Sequence, residues 1–302
     1  MKDRVLVTGA AGFVGRALVD RLLANGIPVL ALVRKDSDAR ALASRGVTVT
    51  VGDVLRDDTL AAAFSGKPAA VVQLVGLNIA VEATARVLAH AKRAGVRRYL
   101  HMSALGAARN SQCRYHRMKW AAEELVRKSS MPWTLFRPSV VFGDRCDFVK
   151  SLELLVRVGP LVPIPGSGRC LLQPIHVEDV ARAVVNRLVL DTDESEICHL
   201  GGPERWTLNE IIALVQRRMR KRKPQVHFPI ELARILIAIQ EHPRLGKPML
   251  RLYGDIAPER RFNRDHIELL REDNVCPDQS EDWARALTLT SLEAWLDRRN
   301  MA

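Results

Sequence analysis

Residues 5–15, Val5-Leu6-Val7-Thr8-Gly9-Ala10-Ala11-Gly12-Phe13-Val14-Gly15, decide the fold. An apolar run bounded by glycine reads as a buried parallel strand, and Phe13, Val14, Ala17, Leu18, Leu22 and Leu23 then recur at helical spacing. Gly9, Gly12 and Gly15 therefore fall in a strand-to-helix turn. Gly9 permits the tight turn, Gly12 lets a pyrophosphate approach the backbone, and Gly15 lets the helix pack closely on the strand. Ala11, Phe13 and Val14 supply the rest of this cradle, where the first amides of the helix face an anion. Three glycines alone serve a structural turn equally well; their place inside a strand, turn and helix points to a nucleotide.

Outward from that turn, strand and helix alternate. Val29–Val33 reads as the second strand and ends in Arg34 and Lys35 rather than in an acid. An acid there would bind an adenosine ribose, whereas basic groups suit the 2′-phosphate of NADP(H). NADP(H) is therefore the expected cofactor, with NAD(H) the alternative if these are only solvated loop charges. Val47–Val51 is a third strand running into Gly52, Asp53 and Val54, where Asp53 either accepts from an adenine amino group or caps a helix. A fourth strand is expected over 70–75, so that Leu74, Val75 and Gly76 bring backbone to the ligand at its carboxyl end. Helices over 81–94 and 115–128 and strands over 98–103 and 133–138 complete a parallel, doubly wound α/β sheet.

A chain of 302 residues with 46 basic against 34 acidic side chains carries a net charge of +12, which suits an anionic partner. Nucleic acid is disfavoured because aromatic residues are scarce, at 5%, and no binding module is recognisable. Cys113, Cys146, Cys170, Cys198 and Cys276 are scattered, without a C-x-x-C pair, so neither a disulfide framework nor a metal site is indicated. A reducing cytoplasm fits best. The first strand follows the N-terminus within a few residues, leaving no room for a signal peptide, and no apolar run is long enough to span a bilayer.

Past Phe142 and Gly143 the pattern changes to a Pro/Gly-punctuated stretch over 159–168, and then a segment over 175–189 begins as strand and continues as helix. Further helices are expected over 208–219 and 231–240. Between them the run RRMRKRK (217–223) precedes a largely apolar helix, so 217–240 could contact anionic membrane or an acidic partner, or could be a solvated helix end before a core helix.

Tyr115 and Lys119 share one face of a helix, at i and i+4. A nearby ammonium favours the phenolate and makes the pair a tunable acid–base. Ser103, ending the fifth strand, is placed to hydrogen-bond a substrate carbonyl oxygen while Tyr115 moves the proton, and Lys119 could also hold the nicotinamide ribose. An ordinary amphipathic helix is the plain alternative, which the cradle upstream makes less fitting.

TGAAGFVG (8–15), Gly52-Asp53, Ser103 and Tyr115-x-x-x-Lys119 together resemble the extended or atypical short-chain dehydrogenase/reductases, which include NAD-dependent epimerases and dehydratases. SALGA (103–107), RYHRMKWAAEELV (114–126), RPSVVFG (137–143), QPIHVEDVARAV (173–184) and LLREDNV (269–275) are similar to one branch. That branch is the NADPH-binding accessory subunit of respiratory complex I, of the alpha subcomplex 9 type, and its bacterial relatives. The resemblance implies a Rossmann domain over 1–145. The remaining 146–302 would form a smaller, mostly helical substrate-side or partner region that partly returns to the sheet around 170–200. It also implies that Gly9, Gly12, Gly15, Arg34, Asp53, Lys119 and the backbone after Arg137 and Pro138 contact the cofactor. Redox turnover is not guaranteed in such proteins, where the nucleotide can be structural. The segment between Gly76 and Glu82 is shorter than the loop that usually follows strand four, and Gln73 replaces a smaller polar residue.

Three functions follow: an NADP(H)-binding oxidoreductase-like protein of the complex I accessory type, with a respiratory or quinone-related partner; a soluble epimerase, dehydratase or reductase acting on a nucleotide-linked sugar or other carbonyl; or a non-catalytic nucleotide-binding subunit. The expected location is the cytoplasm, at the inner face of the cytoplasmic membrane for the first.

Overall fold

The computed structural model describes residues 3–76, 79–190, 193–242, 264–277 and 288–299. In the first half, strand and helix alternate as β1 (Val5–Thr8), α1 (Phe13–Ala24), β2 (Val29–Val33), α2 (Asp36–Ala43), β3 (Thr48–Val51) and α3 (Asp57–Phe64), followed by β4 (Ala70–Gln73), α4 (Ala80–Arg93), β5 (Arg98–Met102), α5 (Arg114–Arg127) and β6 (Trp133–Pro138). Next come β7 (Val141–Phe142), α6 (Asp147–Arg157), β8 (Val162–Pro165), β9 (Leu171–Leu172) and β10 (Ile175–His176), then α7 (Val177–Val189) and β11 (Glu196–Leu200). The remainder is β12 (Trp206–Thr207), α8 (Leu208–Arg218), β13 (Gln225–Phe228), α9 (Ile230–Glu241), α10 (Arg264–Leu269) and α11 (Leu292–Arg298).

Seven strands form one sheet in the order β11-β6-β5-β4-β1-β2-β3, every neighbour parallel. The order reverses between β1 and β4, and in such sheets the crevice at that point receives the ligand. Val5, Val7, Val29, Ala31 and Val33 join α1 and α7 on one face, while Leu6, Leu30, Leu32, Val71, Tyr99 and Leu135 join α3, α4 and α5 on the other. Both faces are covered, which is why these strands read as continuous apolar runs. A third apolar cluster gathers α6, β8, α8 and α11 beside the sheet.

The second and sixth strands have the bounds read from sequence. The fourth stops at Gln73, so Leu74, Val75 and Gly76 form a loop at its carboxyl end. The elements read from sequence did not include α2 and α3, which are short and open on acids, nor α6, α10, α11 and the short strands β7, β8, β9, β12 and β13. Strand β11, an edge strand within the 170–200 stretch implied to return to the sheet, had no bounds of its own. The shortened loop after strand four includes residues 77 and 78, which lie outside the described residues.

A Cβ at Gly15 would overlap the Gly9 carbonyl oxygen and the backbone of Ala10, whereas a Cβ at Gly95 meets nothing within 4 Å and opposes only a φ of +68°. Gly15→Ala should therefore lose more than about 2 kcal/mol in urea unfolding, against about 1 kcal/mol for Gly95→Ala.

Candidate functional site

The cradle is built from backbone. Gly9 has a φ of +79°, and the Gly12 amide donates to the Gly9 carbonyl at 3.0 Å, closing the turn at the start of α1. Gly12 is the N-cap, no side chain caps the helix, and no acid stands in its first turn. The end of α1 is thus left positive and open to an anion. Gly12 is exposed, Ala11, Phe13 and Val14 are half-buried around it, and Arg16 braces the turn by donating from Nε to the Ala11 carbonyl at 2.8 Å. A Cβ at Gly9 would sit 3.3 Å from the Leu74 Cβ and 3.4 Å from the Val75 nitrogen, so the β4 loop lies directly against the cradle.

At the next two strand ends, Arg34, Val51, Gly52, Asp53, Arg56 and Thr59 line an open cleft of about 440 Å³. Arg34 makes no hydrogen bond or ion pair with any described residue, and Lys35 is the N-cap of α2 outside the cleft lining. Asp53 is neither the N-cap of α3, which is Arg56, nor wholly free for adenine: one carboxylate oxygen accepts from the Leu55 amide at 2.9 Å. Val54 is buried behind it. Arg56 was not singled out from sequence; only the fold brings it beside Arg34.

On the other side of the cradle, the Lys119 ammonium is buried, donates to the Met102 carbonyl at 2.8 Å, and stands 3.1 Å from where a Gly76 Cβ would be. Burial pulls Lys119 down to about 8, opposed by Glu123. Tyr115 lies on the same helix, its ring centroid 5.8 Å from the Lys119 ammonium. The expectation that Lys119 would pull the phenol down is corrected here: desolvation pushes Tyr115 up to about 12, with the nearby Cys113 adding to the rise. The ammonium is spent on a strand carbonyl rather than on the phenol.

Ser103 also differs from its expected role. Its hydroxyl is buried and hydrogen-bonds Glu123, a fully buried carboxylate that also accepts from Arg137 at 2.8 and 2.6 Å and from Arg127 at 2.6 Å. A carboxylate only accepts, so the hydrogen of that bond comes from Ser103 and is not offered to a carbonyl. Glu123 escaped the sequence reading because nothing in a helical repeat marks which acid will face a sheet. Similarly, Thr8 donates to the buried Gln73, and His101, across the ladder from Gln73, is pushed down to about 3 by burial and by Lys119, so it stays neutral.

Pro138 ends β6, where its carbonyl accepts from the Leu105 amide at 2.8 Å. The adjoining loops are tied by one distant residue. Asn274 accepts from the Ser139 hydroxyl at 2.7 Å, donates through Nδ2 to the Leu105 carbonyl at 3.1 Å, and donates its amide to the Leu171 carbonyl at 2.7 Å. The motif over 269–275 thus joins the loops after β5 and β6 to strand β9.

A glycine-lined anion cradle at the switch point of a doubly wound parallel sheet defines a dinucleotide-binding Rossmann protein. The family described as NAD(P)H-binding matches residues 9–189, and the chain belongs to it. Among curated proteins it is similar to NADH dehydrogenase (ubiquinone) 1 alpha subcomplex subunit 9, mitochondrial, of Arabidopsis thaliana, at 28% identity over 91% of this chain and 71% of that one. It is also similar to the NAD(P)H azoreductase of Xenophilus azovorans, at 26% identity over 84% of this chain and 88% of that one. The chain spans between 62% and 71% of the length of the complex I relatives that it matches. Among solved structures, the triphenylmethane reductase of Citrobacter sp. superposes with a TM-score of 0.76 at 20% identity, over 99% of this chain and 100% of that one, which shows the same fold.

Native Lys119 releases its proton near pH 8 and an unfolded lysine near 10.5, so the unfolded state holds more protons between these values and stability rises with pH across that window. Relative to Lys119→Met, the protein should gain on the order of 2 kcal/mol in urea unfolding from about pH 7.5 to about pH 10. Over the same range Tyr115 should remain a neutral phenol, read by tyrosine carbon-13 NMR with Tyr115→Phe for assignment.

Proposed function

We propose that this protein holds NADP(H) along the carboxyl edge of its sheet, in the manner of the complex I accessory subunits, with hydride chemistry a secondary capacity. The observation that carries the reading is the order of the parts. Lys119 at the β5 end, Gly76 after β4, the Gly9–Gly15 cradle after β1, Arg34 after β2 and Asp53 after β3 stand at consecutive strand ends. Four inter-strand steps span roughly 19 Å, a length suited to a dinucleotide lying across the switch point. In this arrangement Gly9, Ala11, Gly12, Phe13, Val14 and Gly15 hold the pyrophosphate and Asp53 and Val54 border the adenine. Arg34 takes the 2′-phosphate, while Leu74, Val75, Gly76, Lys119 and Pro138 border the nicotinamide half.

When bound, the nucleotide supplies a hydride donor or acceptor. Tyr115 is the group that would carry the proton, and Lys119 would orient the ribose. Ser103 does not fit the carbonyl-polarising role, because its hydrogen is directed to Glu123. That favours tight holding over fast turnover on a carbonyl substrate and weighs against an epimerase or dehydratase.

A peripheral position is supported by α9. Its Ala233 and Ile237 pack against Ile267 of α10, yet Leu232, Ile235 and Leu236 on the opposite side are 45, 55 and 38% exposed. The nearby basic run is only partly free. Arg217 pairs with Glu293 and Arg218 with Glu153, and Lys223 donates to the Arg157 and Gly159 carbonyls, leaving Arg220, Lys221 and Arg222 without partners among the described residues. An exposed apolar helix face, preceded in the sequence by three uncommitted cations, suits an anionic membrane surface or an acidic face of a respiratory partner. Among the described residues, no helix is long and apolar enough to cross a membrane.

Fluorescence titration should find NADPH bound more tightly than NADH, with Arg34→Ala removing most of the difference; equal binding of both nucleotides would sink the NADP(H) reading. In sedimentation with phosphatidylglycerol vesicles the protein should co-pellet, and Leu232→Gln/Ile235→Gln/Leu236→Gln should stay in solution with nucleotide affinity unchanged. If the unaltered protein stays in solution too, the membrane reading fails and the acidic-partner reading is left.

A further inference from the structure

The cleft after β2 and β3 holds a second guanidinium besides Arg34. Arg56 lies on the cleft wall, and the turn that presents it is tied down at every step. Its amide donates to the Asp53 carbonyl at 3.0 Å, the Leu55 amide donates to the Asp53 carboxylate at 2.9 Å, and the Thr59 hydroxyl lies 2.5 Å from the Asp53 carbonyl and 3.0 Å from that of Arg56. Gly52 makes the turn compact, since a Cβ there would overlap Thr59. Across the ladder Val33 pairs with Val51, and the Gly52 amide donates to the Val33 carbonyl at 2.8 Å, so Arg34 and the 52–56 turn are held as one unit.

Both flanking helices open on acids, Asp36 and Asp38 after Lys35 in α2 and Asp57 and Asp58 after Arg56 in α3, so charge does not choose between the two cations. Position does, since Arg56 lines the cleft with Arg34 and Lys35 stands outside it. The Arg56 side offers a fork already aligned for oxygen: Nε and Nη2 donate to the two carboxylate oxygens of Asp58 at 3.1 and 2.7 Å. Both side chains of that pair are more than 60% exposed, and such ion pairs hold weakly against a competing dianion. Val51, 46% exposed on the same wall, adds apolar surface for a flat base.

Resting on the NADP(H) reading above, we infer that Arg56 completes, with Arg34, a two-guanidinium seat for the 2′-phosphate, making it a specificity-determining residue that the strand-two pattern does not reveal. Two planar forks converging on one phosphate give more discrimination than one, because each binds two oxygens. Asp58 keeps Arg56 extended while the seat waits for phosphate.

The test is calorimetric titration of NADPH, NADH, 2′-AMP and 5′-AMP into the full chain and into Arg56→Ala, Arg56→Lys and Arg34→Ala. Arg56 is exposed, and an unchanged melting temperature establishes that each variant is folded. Arg56→Ala should weaken NADPH and 2′-AMP by about tenfold and change NADH and 5′-AMP by less than about twofold, with Arg56→Lys recovering part of the loss. If the preference for NADPH disappears in Arg34→Ala but survives in Arg56→Ala, the seat is Arg34 alone and this inference is overturned while the NADP(H) reading stands. If the unaltered chain binds NADPH and NADH equally, the reading and the inference fall together.

Discussion

Helix α1 lies against the end of β1 only because no side chain stands between Gly15 and the Gly9 carbonyl oxygen. Much else in the molecule follows from that approach. It brings the uncapped amide end of α1 to the crevice between β1 and β4, where the strand order reverses. It also sets the plane on which α7 packs against α1, and α7 delivers the chain to β11 at the far edge of the sheet. An anion-binding helix end, the switch point and the return of the second half of the chain to the sheet thus share one steric condition.

Buried charge organises the opposite end of the site. Glu123 has no exposure, and two arginines and a serine converge on it from α5, β6 and the loop after β5. Such a carboxylate is tolerable only while its donors remain, since removal of one partner from a buried pair costs several kcal/mol. The network locks the end of β5 against α5 and takes Ser103 out of reach of a carbonyl. Lys119, four residues before Glu123 on the same helix, is buried and gives its hydrogen bond to a strand carbonyl. Tyr115 is left a reluctant acid–base. Of the side chains that resemble a catalytic trio, Ser103 and Lys119 thus tie the end of β5 to α5.

The outer parts of the chain divide into a clamp and an open face. Asn274 draws the loops after β5 and β6 and the β9 segment together through main-chain and side-chain bonds. Among the described residues, helix α9 packs Ala233 and Ile237 against α10 and leaves Leu232, Ile235 and Leu236 exposed.

The alternation of apolar runs, the glycine turn and the helical spacing of Tyr115 and Lys119 are local properties, written in neighbouring residues, and they suffice to determine the doubly wound class, the bounds of β2 and β6 and the cradle. The acid-poor end of strand two is legible for the same reason. The partners of buried polar groups are not: that Ser103 meets Glu123, that Lys119 turns to Met102, and that Arg56 lines the same cleft as Arg34 depend on residues distant in sequence or in separate elements. Strand β11 had no readable bounds within the 170–200 stretch, because Glu196-Ile197-Cys198-His199-Leu200 does not alternate between polar and apolar residues. Sequence by itself determined the strand, glycine turn and helix at the switch point, since these depend on glycine sterics and periodicity. Only the tertiary structure decided where protons and charges reside, because desolvation and hydrogen-bond partners exist only once the chain has closed around them.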